Sequence, residues 1–198
     1  MINGKTILAI IPARAGSKRL PGKNMRDLNG KPMVMYAVEE AKKSKFIDKI
    51  VVSTDDPAVV NVVKSHNVEI NDRPLHLAAD ESSIYDAIFN VLEFYEPHDY
   101  TVLLQATSPM RTVEDIDGCI LTCFHSKAPS CITVDDRGPD ANGAVYIAWT
   151  TWLRETGLFD TGRVATYRME EEKSVDIDHL KDFQEAERLM SLRQSGAL

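Results

Sequence analysis

Between Ile11 and Asn24 the chain reads Ile-Pro-Ala-Arg-Ala-Gly-Ser-Lys-Arg-Leu-Pro-Gly-Lys-Asn, which puts Arg14, Lys18, Arg19 and Lys23 beside Gly16 and Gly22. Glycines let the backbone come close to a ligand, and the N–H groups of such a loop can face phosphate oxygens. The cations would neutralise phosphate charge, and Arg14 could do so through paired hydrogen bonds. The spacing is not that of a Walker A loop. Five residues separate Gly16 from Gly22, and Asn24 follows Lys23 where Ser or Thr is required. The dinucleotide G-x-G-x-x-G pattern is absent as well. A polyanion-binding loop is the expectation, weighed against a plain basic surface loop with turn glycines.

Carboxylates gather near the other end, in Ser174-Val175-Asp176-Ile177-Asp178-His179. In an extended segment alternate side chains share a face, so Asp176 and Asp178 could point together at the phosphate loop. Magnesium takes one or two carboxylates plus substrate phosphates and water, so a metal site is expected there. The competing reading makes Asp178 an acidic residue favoured by the dipole of the helix that follows. Asp55 and Asp56 read instead as a turn and an N-cap ahead of Pro57.

Gln105, Thr107, Ser108 and Arg111 offer mixed donors and acceptors suited to a sugar or a carboxylate, with a helix-entry turn as the alternative. Arg73-Pro74 and Ser83 flank a long loop that could close over a base. The five histidines are scattered and form no Ser/His/Asp order, and Cys119, Cys123 and His125 match no common zinc spacing.

The elements that must hold these loops alternate between short β-rich runs and helices. Strands are predicted over residues 6–11, 49–53, 100–104, 131–134, 144–149 and 164–169. Helices are predicted over 32–43, 57–66, 83–95, 112–126, 150–155 and 180–193, the fourth opened by a Thr112/Asp115 capping box. Residues 71–82 read as loop. This alternation predicts an α/β fold with a mostly parallel sheet. Ligands of such sheets sit beyond the carboxyl ends of the strands, where the loops after Ile11, Ser53 and Leu104 fall.

A chain of 198 residues suits one domain, residues 1–198. Its net charge of −7, from 23 basic and 30 acidic residues, argues against general nucleic-acid binding but leaves room for a local basic pocket. Three cysteines read as buried free thiols in a reducing compartment. The N-terminus lacks a secretory pattern and no run is long enough to span a membrane, so a cytoplasmic location is expected.

The run Ile11 to Asn24 resembles the signature of the acylneuraminate cytidylyltransferases, the CMP-sialic acid synthetases. Residues 103–112 (Leu-Leu-Gln-Ala-Thr-Ser-Pro-Met-Arg-Thr), 142–147 (Asn-Gly-Ala-Val-Tyr-Ile) and 174–178 are similar to three further motifs of that family, in order. Val51 to Asp55 and Asp72-Arg73-Pro74 also fit. The resemblance implies a three-layer Rossmann-like nucleotidyltransferase fold. It implies coupling of CTP to a sialic-acid-like 2-keto acid sugar, releasing pyrophosphate, with Mg2+. By carry-over, Arg14, Lys18 and Lys23 would hold the triphosphate with Ala13, Gly16, Ser17 and Asn24 alongside, and Arg73 and Ser83 would contact cytidine. Gln105, Tyr146 and Phe159 would face the sugar acid, joined by Thr107, Ser108 and Arg111 of the loop noted above; Asp176 and Asp178 would hold the metal, and Arg14, Lys18, Lys23 and Asp178 are the expected catalytic residues.

Two departures stand out. Ala106 replaces a proline of the second motif. The family's extended arm, which helps dimerisation and lends cations to the partner's sugar site, shrinks here to residues 135–141 with Arg137 as its cation. The resemblance therefore implies a complete nucleotide half, a reduced acceptor half and a weakened homodimer. It leaves open an eight-carbon or smaller acid acceptor, or a nucleotide-binding module without turnover.

Overall fold

The structure, a computed structural model, describes residues 1–79 and 81–196. Its centre is β1 (Ile7–Pro12), whose alternate side chains divide between two apolar layers. Ile7, Ala9 and Ile11 join one core, while Leu8 and Ile10 join the other. That division follows from the two-residue period of a strand, and it requires helices on both faces.

Around β1 lie β4 (Lys49–Thr54), β5 (Glu69–Asp72), β6 (Tyr100–Leu104), β7 (Ser130–Asp135), β8 (Ala141–Trp149) and β9 (Ala165–Met169). Their order is β5-β4-β1-β6-β8-β7-β9. Every pairing is parallel except those of β8, which runs against both β6 and β7. A small antiparallel pair, β2 (Asp27–Leu28) and β3 (Lys31–Pro32), follows the cationic loop.

On one face pack α1 (Met33–Lys43), α2 (Pro57–Lys64) and α5 (Val113–Ser126), through residues such as Val38, Val59 and Ile120. The other face carries α4 (Ile84–Phe94) and α6 (Thr150–Thr156), through Ile88, Val91 and Leu153. Among the described residues the other α-helices are the short α3 (Leu75–Ala78) and α7 (Leu180–Gln194). The molecule is thus a three-layer α/β fold of the Rossmann-like kind.

Local signals in the sequence account for the helix starts. Asp56 Oδ1 accepts from Ala58 N at 2.9 Å, the N-cap expected ahead of Pro57. Thr112 N and Oγ1 both donate to Asp115 Oδ2, at 2.9 and 3.0 Å, closing the first turn of α5. The structure adds what the sequence did not signal: β5, α3 and the β2–β3 pair, the first two lying at or within the stretch read as loop. The strand read as starting at Ala144 begins at Ala141. The three cysteines are free and buried, with Cys119 Sγ 3.6 Å from Cys131 Sγ. Among the described residues no helix is long and apolar enough to cross a membrane.

A third, smaller core sets the geometry of the site. Leu20 from the cationic loop, Leu28, Met33, Met110, Ile177 and the α7 residues Phe183, Ala186, Leu189 and Met190 form one buried cluster. Leu20 sits between the exposed Lys18–Arg19 pair and Lys23. Ile177 sits between the two aspartates. Burying these two apolar residues together brings their charged neighbours to the same rim.

Candidate active site

The strand ends of β1 and β4 fix the start of the cationic loop. Ala13 N donates to Ser53 O at 2.9 Å, Thr54 Oγ1 donates to Ala13 O at 2.6 Å, and Ala15 N donates to Asp55 Oδ1 at 2.9 Å. Asn24, itself buried, closes the loop by donating from Nδ2 to Arg14 O at 2.9 Å. Gly22 has φ +65°, a left-handed turn that favours glycine. The result is a depression of about 330 Å³ lined by Arg14, Ser17, Lys18, Arg19, Lys23, Asn24 and Asp178.

A neighbouring cleft of about 320 Å³ is lined by Pro12, Arg14, Lys23, Arg73, Ser83 and Thr107, among others. Arg73 is buried, donating from Nη2 to Ser53 O at 2.9 Å and from Nε to Ser53 Oγ at 3.2 Å. Burial pushes its guanidinium down to about 10, opposed by Asp55 and assisted by Arg14. Arg14 also donates to Ala79 O at 2.9 Å, which ties the cationic loop to the segment between α3 and α4. Ser83 stands at the head of α4, where its Oγ accepts from Tyr85 N at 3.2 Å.

The cationic loop and the acidic segment meet here. Lys23 Nζ lies 2.8 Å from Ile177 O and 3.1 Å from Asp178 Oδ1, and Arg19 Nη2 lies 3.0 Å from Asp178 Oδ2. Ile177 N donates to Thr107 O at 2.8 Å, so the acidic segment is also pinned to the loop after β6. Asp176 keeps more than a third of its surface open, though neighbouring atoms still remove part of its hydration. Lost hydration there holds its carboxyl above the usual range; a Thr107 hydrogen bond opposes the shift and Asp178 adds to it.

On the far side of Asp176 lies Gly143, with φ +82°. A side-chain carbon at Gly143 would stand 3.5 Å from Asp176 Oδ2 and 3.6 Å from Gln105 Nε2, so these three groups share one corner. Tyr146 is close enough to Asp176 for that carboxylate to raise its phenol further, after burial. Its ring lies 5.8 Å from that of Phe159, which is 6.1 Å from Tyr85.

The structure therefore brings together Arg14, Ser17, Lys18, Lys23, Asn24, Arg73, Ser83, Thr107 and Asp178 around two adjoining hollows. Gln105, Tyr146 and Asp176 form the adjoining corner. Three expected contact residues lie deeper. Ser108 and Phe159 are 1% exposed and Arg111 is 2% exposed. Arg111 donates from Nη1 to Gln105 O at 3.1 Å and to Ala144 O at 2.8 Å, so it braces the Gln105 loop against β8 instead of facing the cleft. Sequence reasoning missed the role of Asp55 in fixing Ala15, a contact to a backbone N–H far away in the chain.

In the shortened link, Arg137 is tied to Asp135 at 2.8 Å and to Glu171 at 2.7 Å. Among the described residues no three His, Cys, Asp or Glu side chains gather as a self-sufficient metal centre. Asp178 lines the cationic hollow and Asp176 stands at the adjoining corner, and two such carboxylates would suit an ion that completes its shell with other oxygens.

Set beside known proteins, residues 8–148 match the family described as Cytidylyltransferase. An N-acylneuraminate cytidylyltransferase of Streptococcus agalactiae is 34% identical over 212 residues, covering 89% of this chain and 51% of that protein. A CMP-N,N'-diacetyllegionaminic acid synthase of Legionella pneumophila is 30% identical, covering 96% of this chain and 98% of its own length. Among solved structures, a CMP:2-keto-3-deoxy-manno-octonic acid synthetase complexed with CTP superposes with a TM-score of 0.74 at 20% identity, over 95% of this chain and 99% of that one. The chain belongs to the cytidylyltransferase family. It spans about half the length of the first curated relatives it matches, but nearly all of the legionaminic acid synthase.

Proposed function

We propose that the protein couples CTP to a sialic-acid-like 2-keto acid sugar, giving the CMP-sugar and pyrophosphate. The observation that carries this reading is the meeting of Lys23 and Asp178 at 3.1 Å, which joins the cationic loop and the acidic segment around one hollow. In the reaction the anomeric hydroxyl oxygen of the sugar attacks the α-phosphorus of CTP. The bond from that phosphorus to the bridging oxygen breaks, pyrophosphate leaves, and the hydroxyl proton is lost. Phosphoryl transfer of this kind depends on positioning and charge neutralisation more than on a protein nucleophile.

Arg14, Lys18 and Lys23 hold the triphosphate, with Ala13, Gly16, Ser17 and Asn24 shaping the loop. Arg73 and Ser83 border the cytidine cleft. Gln105, Thr107 and Tyr146 orient the acceptor, while Ser108, Arg111 and Phe159 support them from beneath. Asp176 and Asp178 would hold Mg2+, which when bound would neutralise phosphate charge and polarise the α-phosphate. The identity with curated relatives supports the nucleotide and the acid-sugar class.

The test is pyrophosphate release with each of the four nucleoside triphosphates and a panel of nine- and eight-carbon keto acid sugars, with Mg2+. Release with CTP and a nine-carbon sugar is the expected result. Release only with an eight-carbon acid moves the acceptor. CTP binding without release for any acceptor overturns the enzymatic reading in favour of a binding module.

A further inference from the structure

Asp178 is already neutralised from both sides. Lys23 Nζ sits 3.1 Å from one carboxylate oxygen and Arg19 Nη2 3.0 Å from the other. A divalent cation approaching Asp178 must compete with two resident positive charges, which weakens what the carboxylate can offer it. The same two cations line the hollow with Arg14, Ser17 and Lys18. A triphosphate entering that hollow brings more negative charge than one carboxylate and draws them toward itself.

The two partners differ in freedom. The Lys23 side chain is 14% exposed and is also bonded to Ile177 O, whereas the Arg19 side chain is 61% exposed. Arg19 can swing without disturbing packing, because its neighbour Leu20 anchors the loop in the small core. We infer that Arg19 is a triphosphate-binding residue docked on Asp178 before the nucleotide arrives, so that nucleotide and divalent cation bind cooperatively. This rests on the nucleotide reading proposed above. Nucleotide binding takes Arg19 from Asp178 and frees the carboxylate for metal. By linkage, metal binding at Asp178 favours nucleotide binding by the same factor.

The experiment is Mn2+ titration of nucleotide-free protein, read from the electron paramagnetic resonance of free Mn2+. It compares wild type, Arg19→Gln, Asp178→Asn and the double variant, with Arg26→Gln as a control for loss of a loop charge. Arg19→Gln should bind Mn2+ about two- to fivefold more tightly than wild type, the range of an exposed ion pair. That gain should disappear in the Asp178→Asn background, and Arg26→Gln should not reproduce it. CTP should bind Arg19→Gln more weakly than wild type, with less enhancement by Mn2+. Unchanged Mn2+ affinity in Arg19→Gln, or an equal gain in Arg26→Gln, overturns this inference while CTP binding by the wild type stands. Failure of the wild type to bind CTP overturns the nucleotide reading itself.

Discussion

Asp55 illustrates how a side chain that need not touch a ligand can shape a binding loop. Its carboxylate accepts from Ala15 N at 2.9 Å, one residue past Arg14, while Ser53 and Thr54 hold Ala13. Asp55→Ala should raise the KM for CTP roughly tenfold, what a charge-assisted hydrogen bond of about 1.5 kcal/mol is worth. Asp55→Asn, which keeps an acceptor oxygen, should recover most of that loss in steady-state kinetics. The sequence pattern Ser-Thr-Asp-Asp revealed the N-cap at Asp56 but not this contact, because the partner is forty residues away in the chain and is a backbone N–H. The cationic loop was readable because its charges are local. Between Asp176 and Asp178, Ile177 is buried, as alternation in an extended segment would have it. Arg111 was misplaced for the opposite reason. A loop arginine usually faces water, and nothing nearby in sequence announces that its guanidinium braces two carbonyls in the interior.

Helices with capping signals and apolar stripes emerged from the sequence almost residue for residue: α4 is Ile84–Phe94 against an expected 83–95. β5 did not, since Glu69–Asp72 is four residues long, polar at all but Ile70, and bonded to β4 alone at the sheet edge. Contacts between elements were also hidden. Gly118 lies inside α5, where Ala would normally be preferred by about 1 kcal/mol. Here a side-chain carbon would fall 2.3 Å from Cε2 of Tyr167 on β9. Gly118→Ala should therefore lower stability by about 1–3 kcal/mol, seen as a drop in Tm of several degrees. In a Tyr167→Ala background the same change should become neutral or stabilising. A loss of equal size in both backgrounds would show that the ring is not the cause.

The sheet as a whole is held at its lower edge by Asp99, which accepts from Thr6 N at 2.9 Å and from Lys5 Nζ at 2.8 Å, linking the entries of β1 and β6. The Lys5 hydrogen bond, then that from Thr6, holds the Asp99 carboxyl below its usual range. A depressed folded pKa stabilises the native state above the ordinary carboxylate value and loses that contribution as pH falls through the folded value. Asp99→Asn should thus melt below wild type at pH 7, and the gap should close as the pH is lowered from about 4. A gap independent of pH would count against the charge.

Because β8 runs against its neighbours, β7 ends and β8 begins at the rim where Gly143 meets Asp176 and Gln105. The turn joining them, residues 136–140, leaves the sheet at that same corner. Lengthening an exposed turn costs little chain entropy, about 0.6 kcal/mol per doubling. This hairpin is consequently a natural grafting point, where a longer loop could be spliced in beside Gly143 while the cleft around Arg73 and Ser83 on the other half of the sheet stays untouched.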